Sequence, residues 1–137
     1  MIAAIILVVS VVTFLQFFTS YCRSLIAASA KQPLSAETRD VTGIADRVAA
    51  RSEDFHRIMQ LLQLCPERPH DRGEIRSVNS YFRLLRIFRL TIGRLAPSLQ
   101  LWTETQGARC TYFAAVALDR RIAFSRDIVA SQINLTY

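Results

Sequence analysis

Glycine is scarce in this chain of 137 residues, which has four glycines and no glycine-rich loop of the kind that cradles a phosphate group. The sequence also lacks a Ser/His/Asp set and a pair of carboxylates placed for acid–base catalysis. Its two histidines, His56 and His70, do not fall in a recognised zinc spacing. We therefore expect no enzymatic activity, no metal ion and no cofactor.

Cysteine is sparse as well, and the three cysteines (Cys22, Cys65 and Cys110) form no C-x-x-C pair. An odd number of widely separated cysteines is typical of a protein in a reducing compartment. The sequence therefore indicates free thiols and no disulfide framework.

Charge is absent from residues 1–22, a run rich in isoleucine, valine, leucine and phenylalanine. Because a helix of about 20 apolar residues crosses a bilayer, the sequence predicts a transmembrane helix with a short extension over residues 1–31. Ser10, Thr13 and Gln16 interrupt the run, and such side chains are tolerated where they face a neighbouring helix. The residues expected to lie in the span include Ile5, Val9, Val12, Leu15 and Phe18.

A cleaved signal peptide is the competing interpretation of this segment, with the small residues "AASA" at 27–30 as its cleavage site. No basic residue precedes the apolar run, however, and the run is longer than the apolar region of a usual signal peptide. A lipoprotein signal ending at Cys22 is disfavoured, because Tyr21 occupies a position that needs a small residue. An uncleaved span is the preferred interpretation.

No basic residue precedes the span. The first basic residues that follow it are Arg23, Lys31 and Arg39. The positive-inside rule then predicts a short N-terminus outside and a C-terminal domain in the cytoplasm. We expect the bacterial inner membrane as the location. In a mitochondrial membrane, the same rule would place the domain in the matrix.

Strand signals are rare, and "SLQLWTET" at 98–105 is the one alternating run. Apolar residues recur at helical spacing from Ser35 to about Leu64, with a second helix-start signal at Ser52 that leaves a break there open. Further helices are predicted over Ile75–Leu95 and over about 98–130, the latter interrupted at Gly107. Between the first two lies a charged loop with two prolines, at 65–74. The fold class is therefore all-α, with a small helical hairpin or three-helix bundle at 32–137.

Acidic residues are missing from 75–97, which supplies +5 of the net charge of +6. On a helical wheel its five arginines fall within an arc of about 140°, opposite an apolar face that includes Leu85 and Leu95. Because guanidinium groups pair with phosphates and carboxylates, these residues predict an anionic partner. The candidate partner-binding or lipid-binding residues are Arg76, Arg83, Arg86, Arg89 and Arg94.

Two classes of function fit these features. The preferred one is a structural or accessory single-span subunit of a larger membrane complex, whose basic helical domain docks on the cytoplasmic face of that complex. Its partners would be larger integral membrane subunits and membrane lipids, with anionic headgroups expected. The alternative is a free-standing membrane-anchored module that binds anionic lipid or nucleic acid through the Arg76–Arg94 helix. Nucleic acid is disfavoured because no recognised binding motif is present. A solvated basic face without a dedicated partner also remains open.

Overall fold

The computed structural model describes residues 1–137 and shows an all-α protein without strands. A 3₁₀ turn at Ser52–Asp54 leads into the third of its five α-helices. The helices are α1 (Ile2–Ser29), α2 (Ala36–Thr42), α3 (Phe55–Leu64), α4 (Asp71–Ile92) and α5 (Pro97–Leu135). The predicted fold class, one long apolar helix followed by a small helical bundle, is confirmed.

Helix α1 has two parts with different surroundings. Residues 1–17 are exposed on all sides, whereas Cys22, Ile26 and Ser29 are buried against the bundle. It is the one helix that is long and apolar enough to cross a membrane. The last turns of α1 thus belong to the core of the bundle, while its first four turns stand clear of it.

Helix α5 forms the centre of the bundle and contacts each of the other helices. Its residues from Cys110 to Leu118 are all buried. Helix α4 packs antiparallel to it, since Asp71 near the start of α4 meets Arg121, and Arg89 near its end meets Glu104. The core therefore lies along the middle of α5, and the two ends of the α4–α5 hairpin are marked by ion pairs.

The prediction of one helix from Ser35 to about Leu64 is wrong, and the break that it left open at Ser52 is present but begins earlier, at Gly43. Ser35 does cap α2, its hydroxyl accepting a hydrogen bond from the Thr38 amide, but Gly43 adopts a left-handed conformation with φ of 72° and ends that helix. The Asp46 carboxylate then accepts hydrogen bonds from the amides of Val48 and Ala49, at 2.9 and 3.1 Å. Glycine at the residue after a helix and aspartate in a turn are stop signals that outweigh the apolar spacing.

The other helix boundaries also differ from the prediction. Helix α4 begins at Asp71 and not at Ile75, because Asp71 and Glu74 lie in its first turn, where carboxylates are favourable. Helix α5 continues through Gly107 to Leu135 without the predicted interruption. A Cβ atom at Gly107 would lie 2.8 Å from the Cβ of Ser52, so this glycine permits the close approach of the 3₁₀ turn.

Candidate interaction surface

Helix α4 turns its apolar side towards α5, with Ile75, Val78, Tyr81 and Leu85 buried. The predicted apolar face holds in this middle part of the helix. Towards the end of α4 it fails, because Phe88 and Ile92 are half-buried and Leu95 is 83% exposed. The end of α4 therefore projects past the core.

The five candidate arginines are all exposed, but they do not form one uniform stripe. Nη2 of Arg89 lies 3.1 Å from Oε1 of Glu104 on α5, so the expectation that all five would be unpaired is wrong for Arg89. Arg76 lies near the other end of the hairpin, beside Glu67 and Arg72. The other four have no carboxylate within ion-pair distance, and three of them, Arg83, Arg86 and Arg94, lie towards or in the turn between α4 and α5.

Large apolar side chains are exposed among these arginines, a feature that the sequence pattern does not predict. They are Ile87, Leu90, Leu95, Leu101 and Trp102. The ring of Trp102, the one tryptophan of the chain, meets that of Phe88 edge-on with centroids 6.3 Å apart. We call residues 86–102, which contain these side chains with Arg86 and Arg94, the hairpin tip. Its mixture of arginine and apolar side chains is typical of segments that lie in the headgroup layer of a bilayer.

An open groove of about 510 Å³ separates the end of α4 from the start of α5 at the hairpin tip. Arg94 contributes a guanidinium group to it, and Gln100 contributes an amide. Donors of this kind suit the oxygen atoms of a phosphate or carboxylate group. The groove thus adds a concave surface with exposed hydrogen-bond donors to the hairpin tip.

A second cleft, of about 290 Å³, lies between the 3₁₀ turn, α4 and α5. Glu53, His56, Arg86 and Glu104 line it, and so does Phe82, which stacks on Phe55 with centroids 4.0 Å apart. Charges of both signs leave this cleft without a preference for anions or cations. No three His, Cys, Asp or Glu side chains come together so that they could hold a metal ion.

Helices α1, α4 and α5 meet at Cys22, Tyr81 and Cys110, which are all buried. The Tyr81 hydroxyl has no hydrogen-bond partner, and burial, followed by the neighbouring Cys110, raises the pKa of Tyr81 to about 12. Burial, with a smaller contribution from Cys22, raises the pKa of the Cys110 thiol to about 12. These groups are therefore protonated at neutral pH and act as core side chains.

The order of contacts along α1 shows the relative directions of α1, α4 and α5. Cys22 on α1 is next to Cys110, whereas Gln32, just past the end of α1, accepts hydrogen bonds from Tyr112 at 2.7 Å and from Arg120 at 3.0 Å. Helix α5 therefore runs in the same direction as α1, and α4 runs against both. The hairpin tip consequently lies on the side of the bundle that faces the apolar part of α1.

The residues expected in the span differ in exposure along α1. Ile5, Val9, Val12 and Leu15 are exposed, and Phe18 is half-buried where α1 enters the bundle.

Comparison with known proteins finds no family model, no curated protein and no solved structure that matches the chain.

Proposed function

We propose that the protein is a single-span accessory subunit of a larger membrane protein complex. In this proposal α1 packs beside a transmembrane helix of a larger subunit, and the bundle lies at the membrane surface with its hairpin tip towards the lipid headgroups. The observation that carries the proposal is Gln16, whose amide is exposed on the apolar part of α1 and pairs with no other side chain of the chain. An amide at that depth is stabilised when it forms a hydrogen bond to a neighbouring helix.

Polar side chains share one flank of the span with Gln16. Ser10, Thr13, Gln16 and Ser20 fall within an arc of about 120°, and the opposite flank carries apolar side chains such as Val11 and Leu15. The Thr13 hydroxyl donates to the Val9 carbonyl at 2.8 Å and is thereby satisfied, whereas the Gln16 amide, the largest polar group on this flank, has no partner within the chain. Such a flank of small and polar side chains favours a helix–helix contact.

The orientation belongs to the same proposal. The N-terminus lies outside and the bundle lies in the cytoplasm of a bacterium, because Arg23 and Lys31 follow the span and no basic side chain precedes it. Cys65, which is partly exposed in the α3–α4 loop, provides the test. A membrane-impermeant maleimide should label Cys65 in inside-out vesicles and leave it unlabelled in intact cells. Labelling in intact cells would reverse the orientation.

The partner subunit can be tested by photo-crosslinking from the span. The crosslinked product can be purified through a tag after Tyr137, which should be tolerated because residues 126–137 are exposed. With a benzophenone amino acid at position 16, we expect one predominant crosslinked protein in the host membrane, and at position 11 on the opposite flank we expect none.

A matched pair of substitutions completes this test. Gln16→Leu should reduce recovery of the crosslinked protein after purification in mild detergent, whereas Val11→Leu should leave it unchanged. If the protein is recovered alone and neither position forms a crosslink, it is a free-standing membrane-anchored module.

A further inference from the structure

A basic groove lies where α1 joins the bundle, and it is separate from the hairpin tip. It has a volume of about 500 Å³ and runs beside α1 from Ser20 to Lys31. Four basic side chains line it together with the buried Gln106, and no acidic side chain does. They are Arg23, Lys31, Arg47 and Arg109. We call this feature the junction groove.

These four residues are distant in sequence, and the fold brings them together. Arg23 and Lys31 come from α1 and its end, Arg47 from the turn after α2, and Arg109 from α5. None of the four forms an ion pair within the chain, and all are exposed. The nearby Asp46 directs its carboxylate to the amides of its own turn. The positive charge of the junction groove is therefore uncompensated.

The position of the junction groove identifies the kind of anion that would fill it. It begins beside Ser20, directly after the apolar residues of α1, so a ligand held there would also contact the exposed apolar side chains of the span. Basic pockets at this level of a membrane protein suit anionic lipid headgroups. A phosphate without acyl chains would use only the charged half of the site.

We propose that the junction groove binds the phosphate headgroup of an anionic phospholipid, whose acyl chains lie along the apolar surface of α1. The proposal rests on the membrane anchoring of the proposed function and does not depend on a partner subunit. Lys31 and the three arginines neutralise the phosphate, and the Gln106 side chain lines the floor of the groove. Because these residues belong to three separate parts of the chain, the bound lipid would also hold the bundle against α1.

The test uses the purified full chain in mild detergent and native mass spectrometry. With phosphatidylglycerol as the probe, we expect one lipid to bind in preference to phosphatidylcholine. Arg47→Gln combined with Arg109→Gln should weaken this binding by about thirtyfold, since each basic residue close to an anionic headgroup raises the affinity by about fivefold. This pair is chosen because Arg23 and Lys31 also flank the span and affect its orientation.

The matched control is Arg57→Gln combined with Arg68→Gln, which removes the same charge from exposed positions that line no part of the junction groove. The control should bind phosphatidylglycerol like the wild type. Equal weakening in both variants, or equal binding of phosphatidylcholine, would overturn the proposal. Displacement of the lipid by equimolar inorganic phosphate would also overturn it, because the site would then recognise phosphate alone.

Failure of the anchoring can be recognised separately. Carbonate washing of membranes should leave the protein in the pellet, and its release would contradict the membrane span itself. Retention in the membrane without preferential binding of phosphatidylglycerol would contradict only the junction groove. Loss of the crosslink from position 16 would leave both of these results unaffected.

Discussion

Nε of Arg121 lies 2.9 Å from Oδ2 of Asp71, and both side chains are almost completely buried, with 6% and 5% of their surfaces exposed. Nη1 of Arg121 also donates to the carbonyl oxygen of Leu62, at 2.7 Å. One guanidinium group on α5 thereby joins the start of α4 to the end of α3. A buried charge depends on such partners, because its transfer from water is otherwise strongly unfavourable.

We expect Asp71→Ala to destabilise the bundle by about 3–5 kcal/mol, since it leaves the Arg121 charge buried and unpaired. The double variant Asp71→Leu/Arg121→Met should be more stable than Asp71→Ala alone, because no unpaired charge remains. Thermal unfolding of the full chain in mild detergent, followed by near-UV circular dichroism, measures both. Glu67→Ala is the control, since the Arg72–Glu67 pair is exposed and 3.9 Å long. It should change stability by less than about 0.5 kcal/mol.

Tyr81 and Tyr112 should respond in opposite ways to loss of the hydroxyl group. Tyr81→Phe removes a buried hydroxyl without a partner and should stabilise the fold by about 1 kcal/mol. Tyr112→Phe removes the hydrogen bond to the Gln32 carbonyl and should destabilise it by a similar amount. The measurement is the change in melting temperature of each variant relative to the wild type. A lower melting temperature for Tyr81→Phe would show that the hydroxyl has a partner in solution.

Stability should fall at high pH because of Cys110. The folded protein retains the thiol proton up to a pKa of about 12, whereas the ordinary thiol pKa is 9.0. Between these values the unfolded chain binds fewer protons than the folded one, so the free energy of unfolding decreases as pH rises. The melting temperature, measured from pH 8 to pH 11, should decline less in Cys110→Ala than in the wild type. At neutral pH, iodoacetamide should modify Cys65 and leave Cys110 intact until the bundle unfolds.

Gly107 and Gly73 form another matched pair. Gly107→Ala places a Cβ atom 2.8 Å from the Cβ of Ser52, so we expect a loss of about 1–3 kcal/mol. Gly73→Ala meets no atom within 4 Å and should stabilise α4 by about 0.5–1 kcal/mol. Adding Ser52→Gly to Gly107→Ala should restore part of the lost stability. If Gly107→Ala melts like the wild type, the two backbones lie further apart than the structure shows.

Trp102 reports directly on the hairpin tip, where it is 40% exposed. In vesicles that contain phosphatidylglycerol we expect its emission to shift to shorter wavelength and to be quenched by brominated acyl chains. Arg86→Gln combined with Arg94→Gln should reduce this quenching, whereas Arg57→Gln with Arg68→Gln should not. Unquenched emission in the wild type would mean that the hairpin tip stays in water.

The apolar N-terminal helix and the buried middle of α4 could be predicted, because both follow from patterns local to the chain. The break after α2 also has local signals in the sequence, Gly43 and Asp46, which outweigh the helical spacing around them. Two features depend on tertiary contacts and could not be predicted. Glu104 reaches Arg89 only because α4 and α5 are antiparallel, and Gly107 permits a contact with a residue 55 positions earlier.

The same limit applies to the candidate sites. A charge count identifies the arginines of α4, which are close in sequence. The junction groove gathers Arg23, Lys31, Arg47 and Arg109 from three parts of the chain, and no periodicity connects them. The exposure of Leu90 and Leu95 likewise depends on the tertiary fold, because both lie beyond the part of α4 that packs on the core.

Helix α1 continues without interruption from the apolar segment into the core of the bundle, where Cys22, Ile26 and Ser29 are held. No loop separates the apolar segment of α1 from the bundle, so in the proposed membrane-anchored arrangement the two would move as one rigid unit. A bilayer of different thickness changes the tilt of a single span. In this protein the change would be transmitted directly to the bundle and would raise or lower the hairpin tip relative to the headgroups. If the proposed anchoring holds, the stiffness of α1 thus makes bilayer thickness a determinant of how deeply the hairpin tip lies among the headgroups.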